Sequence, residues 1–295
     1  MTVLTYQWAR TGKLVFFFIL LSWTAFAQQR NVLPAFTLED VAYGNDPLQK
    51  MDVSLVAGRN AATPLVVVVH GGGWMAGDKT DADFMKKGLN SAGINVVNIN
   101  YRLANNTHIH YREIMQDMDA ALRYVTQHAR KWKIRSKRFV FWGGSAGGHL
   151  ALLYAYGYDT RHVISAVISL GGPTKLNDVV SMAAAKKQDV EGLLPLITGE
   201  AYDRDSTNAA YIAASPFYGK TLKPALLVHG VKDDIVPISQ SVLLSKLLSD
   251  RGIDHIFFPL PEGDHGGNGA PAAIREELNT TMLEWIRKYS RKRPG

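Results

Sequence analysis

The chain has 295 residues, 46% of them apolar, 10% aromatic and 20% charged. Those proportions exclude a mainly disordered chain and leave length for one large core or two small ones. Cysteine is absent, which excludes a disulfide framework, a thiolate nucleophile and a Cys-ligated zinc. The formal charge of +7 raises nucleic acid and anionic membranes as partners.

The first residues carry Arg10 and Lys13, then the apolar run Leu14 to Trp23, then Ala25-Phe26-Ala27. A cationic head, a short apolar stretch and small residues make a secretory signal, with cleavage expected after Ala27. The competing reading is an anchor helix, but the run is about ten residues and a span needs about twenty. Residues 1–27 are therefore expected to be a leader, and the mature chain is expected to be secreted or periplasmic, with no stable membrane span.

Beyond the leader no repeat or long linker divides the chain, so residues 28–295 read as a single domain. Leu65 to Val69 follows Pro64 and is the kind of β-branched run that is buried on both faces of a parallel sheet. Asn95 to Tyr101 predicts another strand. Tyr111 to Arg130 predicts a helix, with Ile114, Met118, Ala121, Leu122 and Val125 at helical spacing. Further strands are expected at Phe139 to Trp142, Ala166 to Leu170, Ala225 to Val228 and His255 to Phe258. Helices are expected from Ser239 to Asp250, stopped by Arg251-Gly252, and from Ala272 to Tyr289. Strands alternating with helices predict an α/β fold, a mostly parallel sheet with helices on both faces. Residues 173–224 break the rhythm with Pro173, Pro195 and Pro216 among short apolar pieces. An insertion of that length predicts a small helical cap over the C-terminal edge of the sheet, where α/β proteins bind ligands.

The chemistry concentrates at that edge. Gly143-Gly144-Ser145-Ala146-Gly147 follows a strand and opens a helix, the setting in which G-x-S-x-G presents a nucleophilic serine on a strained turn. His70-Gly71-Gly72-Gly73-Trp74 follows the first buried strand, and its glycines leave backbone N–H groups open to a ligand. Two such groups, together with the N–H of Ala146 after the serine, are expected to hold an oxyanion. A phosphate loop is a poor alternative, since no G-K-[ST] follows. His70 and His149 read as structural histidines.

Serine needs a base, and the base needs an orienting carboxylate. Two aspartates, Asp233 and Asp234, follow the strand Ala225 to Val228, and His265 follows the next strand; the order Ser, Asp, His suits this fold. Asp264 reads as a turn former. Trp74, Tyr202 and Tyr211 are candidates for the wall of a substrate pocket or for plain core aromatics. No motif calls for a metal or an organic cofactor.

HGGGW, GGSAGG, HGxxDxxVP and GDHGG together resemble the α/β-hydrolase superfamily. More narrowly, they are similar to its HGGG-containing esterase/lipase branch, which includes hormone-sensitive-lipase-like esterases and bacterial carbohydrate or feruloyl esterases. The likeness runs from about Leu48 to Tyr289 and includes Tyr101-Arg102-Leu103-Ala104 and a structural aspartate at Asp117. It implies Ser145 as nucleophile, His265 as general base and acid, Asp233 rather than Asp234 as its partner, and Gly72, Gly73 and Ala146 as the oxyanion donors. It implies an esterase acting on small-molecule or polysaccharide esters. A peptidase or amidase on the same triad, and a pseudohydrolase without activity, are the alternatives. Gly144 stands where the hormone-sensitive-lipase type has an acid, and only about twenty residues precede the first strands. Both departures favour the compact secreted carbohydrate-esterase type.

The charge then divides. Two cations lie in the leader and five in the basic tail 287–295, with no acid in either, and the rest is neutral. Nucleic acid drops out of the expected partners. The tail reads as a solvated terminus whose cations suit the end of the closing helix, the alternative being adhesion to an acidic polysaccharide or an anionic membrane surface.

Overall fold

Leu65–Val69 forms strand β3 of the computed structural model, and all five of its residues are buried. The structure describes residues 32–183 and 190–291; the leader assignment lies outside them, as does the end of the basic tail. From Leu33 onward the chain forms one compact unit.

Around β3 stand β1 (Phe36–Ala42), β2 (Lys50–Leu55), β4 (Asn95–Ile99), β5 (Phe139–Gly144), β6 (Ile164–Leu170), β7 (Ala225–Gly230) and β8 (His255–Leu260). They form one sheet in the order β1-β2-β4-β3-β5-β6-β7-β8. β2 is antiparallel to both β1 and β4, and every other pair is parallel. The expected α/β architecture is therefore present. β1 escaped the sequence reading because it is an edge strand with most of its residues half or fully exposed, so no apolar run marks it.

Alternation along the strands sends side chains to two cores. Val67 and Val69 join one core with α2 (Tyr111–Trp132), α3 (Ala146–Leu153) and α7 (Ser239–Asp250). Val66 and Val68 join the other with α1 (Asp83–Ser91) and α8 (Ala272–Ser290). Each fully buried valine contributes about 1.5–2 kcal/mol of hydrophobic stabilisation. Helix α2 ends where Lys133 turns left-handed, φ 57°, and its last turn carries Arg130 and Lys131 against the helix dipole.

Between β6 and β7 the described residues form three short helices, α4 (Val179–Ala183), α5 (Val190–Thr198) and α6 (Ala209–Ala213). Met182, Leu194, Ile197 and Tyr211 anchor this segment to the core that also holds Trp74 and α3.

Candidate active site

The strand-to-helix turn after β5 places Ser145 at φ 53°, ψ −125°, a conformation that side chains other than glycine rarely adopt. The turn is held by Ser145 N–H donating to Leu170 O at 2.7 Å. Small residues are a steric necessity around it. A Cβ on Gly147 would lie 2.2 Å from Val69 O, and one on Gly143 would lie 2.3 Å from Gly147 O. At Gly144 the nearest atom would be Leu170 O at 4.0 Å. There is thus room there for a Cβ. Gly147→Ala is expected to cost about 2–3 kcal/mol through backbone overlap, whereas Gly144→Ala stays within about 0.5 kcal/mol of wild type. Chemical denaturation of the two variants checks the contrast.

Ser145, Asp233 and His265 follow the C-terminal ends of β5, β7 and β8, and the fold brings them together. Ser145 Oγ is 2.8 Å from His265 Nε2, and His265 Nδ1 is 2.8 Å from Asp233 Oδ2. Since a carboxylate only accepts, Nδ1 carries the imidazole proton and Nε2 accepts from the serine hydroxyl. The other Asp233 oxygen accepts the N–H groups of Ile235 and Val236 at 3.0 and 2.9 Å. Burial by itself raises the Asp233 pKa. Hydrogen bonds from His229, His265 and the Val236 N–H outweigh it and hold the carboxyl well below the usual range.

His229 is a partner that the sequence reading did not assign. It is fully buried, with Nε2 2.8 Å from Val236 O and 3.2 Å from Asp233 Oδ2. Because Val236 O can only accept, Nε2 carries the proton, and Nδ1 accepts from the Ser241 hydroxyl at 2.7 Å. The signal was present in the HGxxD run, where a histidine stands four residues before the acid at the end of a buried strand.

Gly72 and Gly73 have φ of 102° and 58°, and a Cβ on Gly72 would lie 2.1 Å from Ala76 O, so the loop requires glycine there. Among the described residues no group accepts a hydrogen bond from the N–H of Gly72, Gly73 or Ala146. The loop passes close to the serine, since a Cβ on Gly71 would lie 3.4 Å from Ser145 Cβ. The segment after β4 clamps it. Tyr101 stacks on His70 with ring centroids 4.3 Å apart and donates its hydroxyl to His70 O at 3.0 Å, while Ala104 N–H donates to Trp74 O at 2.9 Å. Asp117 is fully buried and accepts from the Arg102 backbone and guanidinium, which ties α2 to the same segment. From the cap side, Leu193 Cδ1 would lie 3.3 Å from a Cβ on Gly73, so α5 overhangs the loop. Asp264 caps its own turn, accepting the N–H groups of Gly266 and Asn268.

The aromatic candidates divide differently. Trp74 is 2% exposed and Tyr211 1%, so neither presents a surface to a pocket. Tyr211 is spent on Glu200 O at 2.8 Å, and Tyr202, half-buried, packs on its ring at 5.3 Å. The Trp74 indole N–H donates to His149 Nδ1 at 3.1 Å, and His149 Nε2 donates to Ala214 O at 2.7 Å. One histidine on the helix that follows Ser145 thus braces both the glycine loop and the segment after α6.

Burial lowers the His149 pKa from 6.5 to about 4, its bond to Ala214 only partly opposing the shift. Between pH 6.5 and 4 the unfolded chain takes up a proton that the folded chain refuses, so stability falls as pH falls through that window. The loss reaches about 3 kcal/mol near pH 4. His149→Gln, which cannot titrate, is expected to flatten that part of the pH dependence in denaturant unfolding.

Residues 51–248 match the model of the BD-FAE family. The chain is 24% identical over 240 residues to an acetylxylan esterase of Xylanibacter ruminicola, an alignment covering 77% of this chain and 46% of that protein. It is 23% identical over 227 residues to the isoprenylcysteine alpha-carbonyl methylesterase of Arabidopsis thaliana, covering 72% of this chain and 52% of that protein. The chain spans about half the length of these relatives. A truncated carbohydrate esterase from gut microbiota superposes with a TM-score of 0.71 at 22% identity, over 87% of this chain and 97% of that one. Esterase B from Lactobacillus rhamnosis does so with a TM-score of 0.69 at 21% identity, over 87% and 88%. The strand order, the elbow and the matched span lead to one conclusion: the chain has the α/β-hydrolase fold and belongs to the BD-FAE family.

Proposed function

We propose that the protein is a serine esterase that cleaves short-chain or carbohydrate-linked carboxylic esters, of acetyl or feruloyl type, through an acyl-enzyme. The observation that carries this reading is the hydrogen-bonded line Ser145–His265–Asp233, 2.8 Å at each step, beside three unspent backbone donors. His265 Nε2 takes the proton from Ser145 as Oγ attacks the ester carbonyl. The N–H groups of Gly72, Gly73 and Ala146 receive the oxyanion, and the start of α3 adds its positive dipole end. The imidazolium, stabilised by Asp233, returns its proton to the leaving alkoxide. Water, deprotonated by the same nitrogen, then releases the acid and restores the serine.

The names of the relatives, an acetylxylan esterase and a methylesterase among them, support an ester as substrate, and the carbohydrate esterase among the superposed structures supports a saccharide alcohol. The test is a substrate panel. Release of acetate from acetylated xylan, or of ferulate from feruloyl saccharides, with no turnover of aminoacyl amides, is the expected result. Amide turnover without ester turnover would assign a peptidase instead, and no turnover with either class would leave a pseudohydrolase. Export is part of the same proposal, and N-terminal sequencing of the mature protein is expected to begin at Gln28.

A further inference from the structure

The neutral balance of residues 28–286 conceals a local asymmetry. Residues 130–138 read Arg-Lys-Trp-Lys-Ile-Arg-Ser-Lys-Arg, six cations and no acid. The helix dipole at the end of α2 accounts for Arg130 and Lys131 only. The fold sets the remainder of the run against the end of α8: Arg138 donates to Tyr289 O at 2.8 Å and Arg135 to Ser290 O at 2.8 Å. A cavity of about 550 Å³ opens there, with Arg135, Ser136, Lys137, Arg138, Ser290 and Arg291 along it and Ala61 and Ala62 completing the wall.

Three features make this groove receptive to an anion. First, none of its lining residues is acidic. Arg135, 5% exposed, is held by the carbonyls of Ala62, Thr63, Arg138 and Ser290 and, among the described residues, by no carboxylate that would neutralise its charge. Burial, and to a smaller extent the neighbouring Arg138, bring its pKa down to about 10. The nearby Asp254 is engaged by Lys288 and the Tyr289 hydroxyl. Second, two polar atoms beside the groove are buried with no partner among the described residues, Ser290 Oγ, on a residue 6% exposed, and Arg138 Nε. Such groups cost free energy unless a ligand or solvent satisfies them. Third, the lining has no large apolar side chain of the kind that inserts into a bilayer. Guanidinium, ammonium and hydroxyl donors in a concave site fit a carboxylate-bearing sugar better than a flat lipid surface.

We propose that this groove binds the uronate residues of an acidic polysaccharide. The choice of a saccharide rests on the carbohydrate-ester reading of the Ser145 site. The groove adjoins the start of β5 and Ser145 follows its end, so one strand of six residues, about 20 Å, separates them. A polymer held at the groove is concentrated near the catalytic edge without occupying it.

Binding of the full chain to unesterified polygalacturonate, followed by affinity electrophoresis and calorimetry, tests this independently of ester hydrolysis. Neutral dextran serves as control. The expected result is retention by polygalacturonate and not by dextran, weakened by added salt. The double variant Lys137→Glu/Arg291→Glu should bind about tenfold more weakly. Both side chains are exposed, so the melting temperature and turnover of p-nitrophenyl acetate should match wild type. Absence of retention, or equal retention of the double variant, overturns the proposal. Sedimentation with phosphatidylserine-containing vesicles but no retention by polygalacturonate overturns it in favour of a membrane. A protein that binds polygalacturonate but hydrolyses no ester would refute the esterase reading and leave the groove standing.

Discussion

Ser145→Ala is expected to lower kcat on p-nitrophenyl acetate by about 10⁴-fold or more while the unfolding transition stays unchanged. The variant keeps the backbone donors around the oxyanion position but has no oxygen to form the acyl-enzyme. No other hydroxyl is hydrogen-bonded to His265 Nε2 among the described residues. Alanine at 145 leaves the positive φ of the turn as it is, since serine already bears a Cβ there. Steady-state kinetics with denaturant unfolding on the same preparation separates loss of chemistry from loss of fold. Turnover within tenfold of wild type would remove Ser145 from the mechanism.

Asp233→Asn comes second, with an expected loss of about 10⁴-fold in kcat. Oδ1 of the native carboxylate receives two backbone N–H groups and Oδ2 receives His265 and His229. In the variant the amide oxygen keeps the backbone donors, which turns the NH₂ toward His265 Nδ1. The imidazole then holds its proton on Nε2 and cannot accept one from Ser145. The same amide meets the His229 N–H donor to donor, so some stability is lost as well. Asp234→Asn should leave kcat within about threefold, because it is Asp233 that accepts the hydrogen bond from His265 Nδ1. Comparing kcat for the two neighbouring variants checks the assignment in one experiment.

What could be read from the sequence depended on how locally each feature is encoded. β3 and β5 are buried on both faces, so they appear as β-branched and aromatic runs, and glycine at 143 and 147 is dictated by overlaps with atoms of β3 and the adjacent turn. β1 and α1 were missed for the opposite reason. The first is an exposed edge, and the second, Asp83–Ser91, buries only Leu89 fully. Trp74 and Tyr211 show where local reading fails. An aromatic beside a glycine loop or in a cap serves equally as wall or as core, and only its partners decide. Those partners, His149 for Trp74 and Glu200 for Tyr211, are set by the packing of α3 and the cap. His149 itself joins residues 75 positions before it and 65 after it, a link that no spacing in the chain reveals. The basic groove was hidden in the same way, since the sums over long segments cancel where the fold brings two cationic stretches together.

The central claim, a nucleophilic serine activated by His265, is tested most directly by covalent capture. Incubation of this protein with a fluorophosphonate, followed by intact-mass and peptide mass spectrometry, should give one adduct, on the peptide carrying Ser145. The adduct should be absent in Ser145→Ala and formed far more slowly in His265→Ala. An unlabelled protein, or an adduct on another residue that persists in Ser145→Ala, would contradict the account.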